Sequence, residues 1–203
     1  MSNTEKRHHD PEKARHRRRQ VLDAAAACFG RSGFHGASMA EISKAAGMSA
    51  GHIYNYFDSK DEIIIAFVEE NVERVSALMR DLETKDDPLQ SLLDEVPRSV
   101  RDDLDPQTWI LPLEITAEAS RNPKIAAVAR DADRRTREQF RKILRVGRAR
   151  HGLAVDEAVL EARMNVIITM FQGLPVRAVH NPEMNAEMLT ESFRLALRAL
   201  LFS

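Results

Sequence analysis

The stretch Ser38-Met-Ala-Glu-Ile-Ser-Lys-Ala-Ala-Gly-Met-Ser-Ala-Gly-His-Ile-Tyr-Asn-Tyr-Phe-Asp-Ser-Lys60 decides the reading of this 203-residue chain. Ser38 stands where an N-cap belongs, and Glu41, one helical turn on, completes a capping box. Ile42, Ala45 and Ala46 supply an inward face, the two alanines being small enough to let another helix cross closely. Gly47 falls where a tight turn needs positive φ, Met48 plugs the corner, and Ser49 caps the next helix. The spacing predicts two short helices, over 40–46 and 50–57, packed at a steep angle as a helix-turn-helix.

On the second of these helices Ile53 and Phe57 point inward, which leaves Ala50, Gly51, His52, Asn55 and Tyr56 outward. Small residues let a helix approach a major groove closely, and His52 and Asn55 carry groups that pair with base edges. Tyr54 and Tyr56 offer hydroxyls to phosphates, and Lys60 adds a charge that a phosphate neutralises. The expected partner is double-stranded DNA.

Working outward, Val21, Leu22, Ala25, Cys28 and Phe29 form one stripe of a first helix that Gly33 ends, with Phe34 returning to the core. A fourth helix is expected from Lys60, where Ile64, Val68, Val72, Val75, Met79 and Leu82 recur at steps of four and three. Pro88, Pro97, Pro106, Pro112 and Pro123 divide the middle into shorter helices, Pro112 as a kink or in a first turn. Three more helices follow, over about 123–151, 156–179 and 185–202. No run alternates as a half-buried strand must, so the fold is predicted all-α with about nine helices.

This divides the chain into a basic flexible arm over 1–19, a helix-turn-helix domain over 20–60 and a larger helical domain over 61–203. Residues 1–60 hold ten Lys/Arg against six Asp/Glu, whereas 61–203 hold 20 against 25. A basic front on an acidic body suits one end approaching a polyanion; the arm, with Lys6, Arg7, Lys13, Arg15 and Arg17 to Arg19, reads equally as a reach to phosphates or a minor groove and as a solvated tail.

The single cysteine, Cys28, excludes an intramolecular disulfide and a thiolate metal cluster, which makes a reducing cytoplasm the expected setting. The basic start leads into an amphipathic helix rather than a secretion signal, and no apolar run reaches bilayer length, so no membrane partner is expected. A phosphate-binding loop, a dinucleotide glycine pattern and a His-Glu-x-x-His arrangement are all missing. The histidines show no ligand-like spacing with acidic residues. No enzyme activity, cofactor or metal is expected.

The residues from Ser38 to Lys60 resemble the DNA-binding domain of TetR/AcrR-type repressors. That family carries a Thr/Ser, an Ile-Ala-like pair, Ala-Gly-Val-Ser, a Gly, Tyr-x-His/Tyr-Phe and Ser-Lys. The counterparts are Ser38, Ile42-Ser43, Ala46-Gly47-Met48-Ser49, Gly51, Tyr54-Asn55-Tyr56-Phe57 and Ser59-Lys60, with Ser43, Met48 and Tyr56 as small departures. The resemblance implies DNA contacts from Ser38, Ser49, Ala50, Gly51, His52, Tyr54, Asn55, Tyr56 and Lys60. It also implies a palindromic operator read by a homodimer, and a small-molecule effector that relieves repression. Activation from a differently placed operator, and a helical protein-interaction module, stay open.

Dimer contacts are expected from the last two helices, through Leu160, Ile167 and Leu174 on one stripe and Leu189, Phe193, Ala196 and Leu200 on the other. Val166, Met170, Leu197 and Leu201 lie beside these stripes, giving more apolar width than one core face needs. Two such helix pairs would bury the excess as a four-helix bundle, though both stripes would also serve a monomer core. For the effector, Trp109 lies one turn before Leu113 and near Glu114, with Glu118 another turn on, and an aromatic face beside carboxylates suits a lipophilic cation. Phe67, Met164, Ile168, Phe171 and Gln172 would line the same cavity. The pattern is also that of a core tryptophan flanked by solvated glutamates.

Overall fold

A computed structural model describes residues 11–203, and among them the secondary structure is all α-helix. Nine helices run in order: α1 Pro11–Gly36, α2 Met39–Ala45, α3 Ala50–Ile53, α4 Lys60–Glu83, α5 Pro88–Leu104, α6 Pro106–Ala119, α7 Pro123–Arg150, α8 Glu157–His180 and α9 Ala186–Phe202. The chain divides into two compact units between Phe67 and Val68. This lies beyond the Lys60 boundary expected from the sequence because Ile63 and Ile64, in the first turns of α4, are buried, and the Phe67 ring meets Phe29 at 6.4 Å.

In the N-terminal unit α1 buries Val21, Leu22, Ala25, Cys28 and Phe29 and kinks at Gly33, whose φ of 68° is open to glycine. The kink turns Phe34 back to Phe29, ring centroids 5.5 Å apart. Residues 11–19, expected to form part of a flexible arm, are instead the first turns of α1. Pro11 takes an early helical position, where its missing N–H costs nothing, and Glu12 follows in the first turn. The remainder of that arm lies outside the described residues.

The proline punctuation is half realised. Pro88, Pro106 and Pro123 each open a helix behind a capping side chain, Asp87, Asp105 and Asn122. Pro97, expected as a divider, lies inside α5, and Pro112 lies inside α6. On α5, Leu89, Leu93, Val96 and Val100 recur at four, three and four, all within 1% of full burial. That helix packs against α6, α7, α8 and α9, so it forms the axis of the C-terminal unit. Around it lie Phe140 and Leu144 of α7, Leu160, Met164, Ile167 and Leu174 of α8, and Leu197 and Leu201 of α9.

Two guanidinium groups close the end of α9. Buried Arg148 donates to the Leu201 carbonyl at 2.8 Å and to Ala154 at 3.0 Å, and Arg163 donates to the Ser203 carbonyl at 2.6 Å. Cations at a helix C-terminus satisfy carbonyls that have no partner within the helix.

Near the end of α5, burial pushes the Asp103 carboxyl up to about 6, against the pull of Arg74 and helped by the neighbouring Asp102. The folded chain therefore binds this proton more tightly than the unfolded chain. Its stabilising contribution is complete below the unfolded value near 3.8 and is lost as pH rises through about 6. Asp103→Asn, which keeps the neutral form, is expected to raise the melting temperature by a few degrees at neutral pH. This corresponds to about 1 kcal/mol after solvent screening. Near pH 4 the two proteins are expected to melt alike, and thermal melts across that pH range are the check.

Candidate DNA-binding site and effector region

Local chemistry builds the helix-turn-helix. The Ser38 hydroxyl accepts from the Glu41 amide at 3.2 Å, while the Glu41 carboxylate accepts from the Ser38 amide at 2.7 Å and from its hydroxyl at 3.0 Å. These bonds from the Ser38 backbone and side chain hold the Glu41 carboxyl below its ordinary value, so the cap stays ionised. Gly47, at φ 63°, makes the turn, and Ser49 accepts from the His52 amide at 3.3 Å to start α3. Within α2, Ile42 and Ser43 are buried; Ala45, expected inward, is exposed, because the core lies on the Ile42, Ser43 and Ala46 side of this short helix.

The third helix is shorter than expected. After Ile53 the chain tightens into turns, with the Asn55 amide donating to the His52 carbonyl and that of Tyr56 to Ile53. This tightening gathers three polar side chains on the open face. The Asn55 amide reaches His52 Nδ1 and the Tyr56 hydroxyl reaches His52 Nε2, both at 3.4 Å, and the Tyr56 ring meets the imidazole edge-on at 5.3 Å. The two ring nitrogens of His52 thus each face one polar neighbour. Tyr54 is half exposed, and Ala50 and Gly51 are exposed. A β-carbon added at Gly51 would meet nothing within 4 Å. The result is an uncharged polar edge with an open backbone, a surface suited to reading base edges.

Lys60, expected to contact a phosphate, has its ammonium engaged within the fold. Its Nζ donates to the Phe34 carbonyl at 2.6 Å and the Ala37 carbonyl at 2.7 Å, and lies 4.5 Å from the centre of the Phe34 ring. The ammonium fastens the start of α4 to the segment leading into α2. Lys60→Met is expected to cost about 2 kcal/mol, because two carbonyls lose a charged donor. The salt dependence of DNA binding is expected to stay unchanged. A phosphate contact would give the reverse: an unaltered melt and a salt slope shallower by about 0.9.

Sequence reasoning missed Gln20. Its amide nitrogen donates to the Ala46 carbonyl at 2.7 Å, tying α1 to the turn between α2 and α3. A lone glutamine beside a basic run carries no signal for such a contact.

In the C-terminal unit the expected dimer residues of α8 are buried, and those of α9 are half-buried. Leu160, Ile167 and Leu174 are buried in the core, and Leu189, Phe193 and Leu200 pack against it, with Phe193 meeting Phe171 at 5.4 Å. Ala196 is half-buried. The core claims these residues because α5 presents its apolar face to α8 and α9. Outward-facing apolar residues are instead Val159, Val166, Val176 and Val179 on α8, and Met188 and Leu195 on α9, the last two 71% and 70% exposed. The excess apolar width was legible in the sequence, but not which stripe faced out.

The expected effector residues differ in burial. Gln172 is exposed, while Met164 is fully buried with Ile168 and Phe171 packed around it. Phe67, expected beside them, belongs to the N-terminal unit. Leu113 and Glu114 are half-buried. Glu118 is buried, but its carboxylate accepts from Arg121 at 2.9 Å and Asn122 at 3.2 Å, locking the end of α6. A ligand cation would therefore compete with an arginine already in place. Trp109 is half-buried with its indole nitrogen enclosed and without a hydrogen-bond partner, as is the side-chain oxygen of Gln139 on α7, a residue the sequence did not single out. A surface cleft of about 440 Å³ on α7 is lined by Asp133, Arg134, Arg137, Glu138 and Arg141.

Known proteins agree with this geometry. Residues 21–67 match the profile of Bacterial regulatory proteins, tetR family, and residues 86–201 that of BetI-type transcriptional repressor, C-terminal. The HTH-type transcriptional repressor Rv1474c of Mycobacterium tuberculosis is 32% identical over 137 residues, spanning 62% of this chain and 68% of that protein. For the HTH-type transcriptional regulator UidR of Escherichia coli the identity is 33% over 119 residues, 56% of this chain and only 57% of UidR. The structure of Salmonella enterica GusR superimposes with a TM-score of 0.75 at 26% identity, covering 91% of this chain and 95% of that one. With an N-terminal helix-turn-helix, a helical C-terminal unit and both family profiles matched, the chain belongs to the TetR family of bacterial transcriptional regulators.

Proposed function

We propose that this regulator is a repressor that grips a palindromic operator as a homodimer and is released by a small molecule. The observation that carries the reading is the open face of α3: Gly51 has empty space before it, and His52, Asn55 and Tyr56 are joined into one polar edge. A dimer places two such helices on successive half-sites. Support for it comes from exposed apolar side chains seven residues apart, and so on one side of their helices: Val159 and Val166 on α8, and Met188 and Leu195 on α9.

Release follows if an effector binds one spacing of the recognition helices better than the other, since only differential affinity shifts the populations. The enclosed Trp109 N–H supports an effector that carries an acceptor. Such a group costs about 1–3 kcal/mol while unsatisfied, and a ligand supplying its partner recovers that. Because Glu118 is already paired, this favours a neutral hydrogen-bonding effector over a lipophilic cation.

The test is titration against duplexes selected from a random pool, with sedimentation in parallel. Saturable, salt-weakened binding of two chains per site is expected. Leu195→Glu is expected to give monomers that bind the same duplex far more weakly. A chain that shows no preference over competitor DNA overturns the reading.

A further inference from the structure

α1 is longer than its core requires. Among the described residues its first buried one is Val21, yet the helix already runs from Pro11, and the turns between carry Lys13, Arg15, Arg17, Arg18 and Arg19 against Glu12 alone. Like charges so dense repel one another, and exposed turns gain nothing from packing. Some relief is local: Arg15 lies 3.9 Å from Glu12, and Arg19 pairs with Asp23 at 2.8 Å.

Two of the cations are instead tied to the helix-turn-helix. The Arg18 guanidinium lies 4.7 Å from the centre of the Phe57 ring, just beyond α3. Arg17 donates to the Gln20 side-chain oxygen at 2.9 Å, and Gln20 in turn donates to the Ala46 carbonyl at 2.7 Å. Lys13, Arg17 and Gln20 share one side of α1 by their spacing of four and three. The basic side of these turns is thereby held in register with the turn from which α3 starts.

We infer that the first turns of α1 are a second DNA-contacting surface, on which Arg17, oriented by Gln20, meets duplex phosphates flanking the groove that α3 enters. The inference rests on the DNA-binding reading above and extends it to a helical segment outside the helix-turn-helix. A planar guanidinium held by one amide keeps its other donors for a phosphate. Such a contact holds the protein on DNA without reading sequence.

The test compares Arg17→Gln with the unaltered chain across a range of salt, on a selected duplex and on an unselected duplex of equal length. The slope of log K against log salt is expected to become shallower by about 0.9 for each Arg17 that meets a phosphate. The fold-loss is expected to be similar on both duplexes, with Arg17→Lys recovering most of it and thermal melting unaltered. If affinity falls only on the selected duplex and the slope holds, Arg17 acts through the fold and the inference is overturned. An unchanged slope and affinity overturns it as well, leaving the DNA-binding reading intact. Failure of the unaltered chain to bind either duplex overturns both.

Discussion

Gly51→Leu is expected to leave the fold standing while lowering operator affinity about thirtyfold or more. The reason lies in what glycine does not do at this position. A glycine inside a helix costs about 1 kcal/mol relative to alanine, and the usual compensations are positive φ or a close neighbour. Gly51 has neither: the positive-φ glycines among the described residues are Gly33, Gly47 and Gly152, and a β-carbon at Gly51 meets nothing within 4 Å. The fold gains nothing from its smallness, so the gain must lie in what approaches from outside. On the proposed reading, a leucine there would hold α3 off the groove and break the reach of His52 and Asn55 to base edges. Each good base contact is worth about 1–3 kcal/mol, so losing two lowers affinity about thirtyfold or more. Melting and fluorescence anisotropy on the same preparations are the check. A lowered melting temperature with normal binding would reverse the argument.

Gly147→Ala is expected to destabilise the C-terminal unit, although alanine is the better helix former. An added β-carbon would lie 2.5 Å from Cγ and 2.7 Å from Cδ2 of Leu89, a fully buried side chain on α5. Cγ is the branch point of the leucine rather than its free end, so α5 and α7 must separate. Overpacking of this kind costs about 1–3 kcal/mol, which outweighs a propensity gain of at most about 1. The melting temperature is expected to fall by several degrees, and Gly147→Leu to prevent this unit from folding. Leu89→Ala placed in the Gly147→Ala chain is expected to be less harmful than the two single changes together. That non-additivity is the signature of a shared contact. Strict additivity would mean that the helices adjust without strain.

The elements were largely legible because their signals are local. The capping box at Ser38 and Glu41, the glycine at 47 and the four-and-three recurrence along α4 each act within a few residues, and each stands where the sequence placed it. The exposed face of α3 was legible for the same reason: Ile53 and Phe57 assign the inside, and the remainder follows from helix geometry. The end of α3 was less so, because a chain that tightens into turns after Ile53 has the same composition as one that continues helical. The first turns of α1 were misread as a flexible arm, since dense positive charge reads as a tail unless a partner such as Phe57 or Asp23 is known to face it.

By itself the sequence determined the all-α class, the order and bounds of most helices, the helix-turn-helix and the family, all carried by residues close together in the chain. The tertiary structure alone decided where Lys60 sends its ammonium, that Gln20 ties α1 to the Ala46 turn, and which apolar stripe of α8 and α9 is buried. Both stripes have helical period and similar residues, so periodicity cannot choose between them. The choice is made by α5, whose Leu89, Leu93, Val96 and Val100 bury one stripe and leave Val166 and Leu195 facing out.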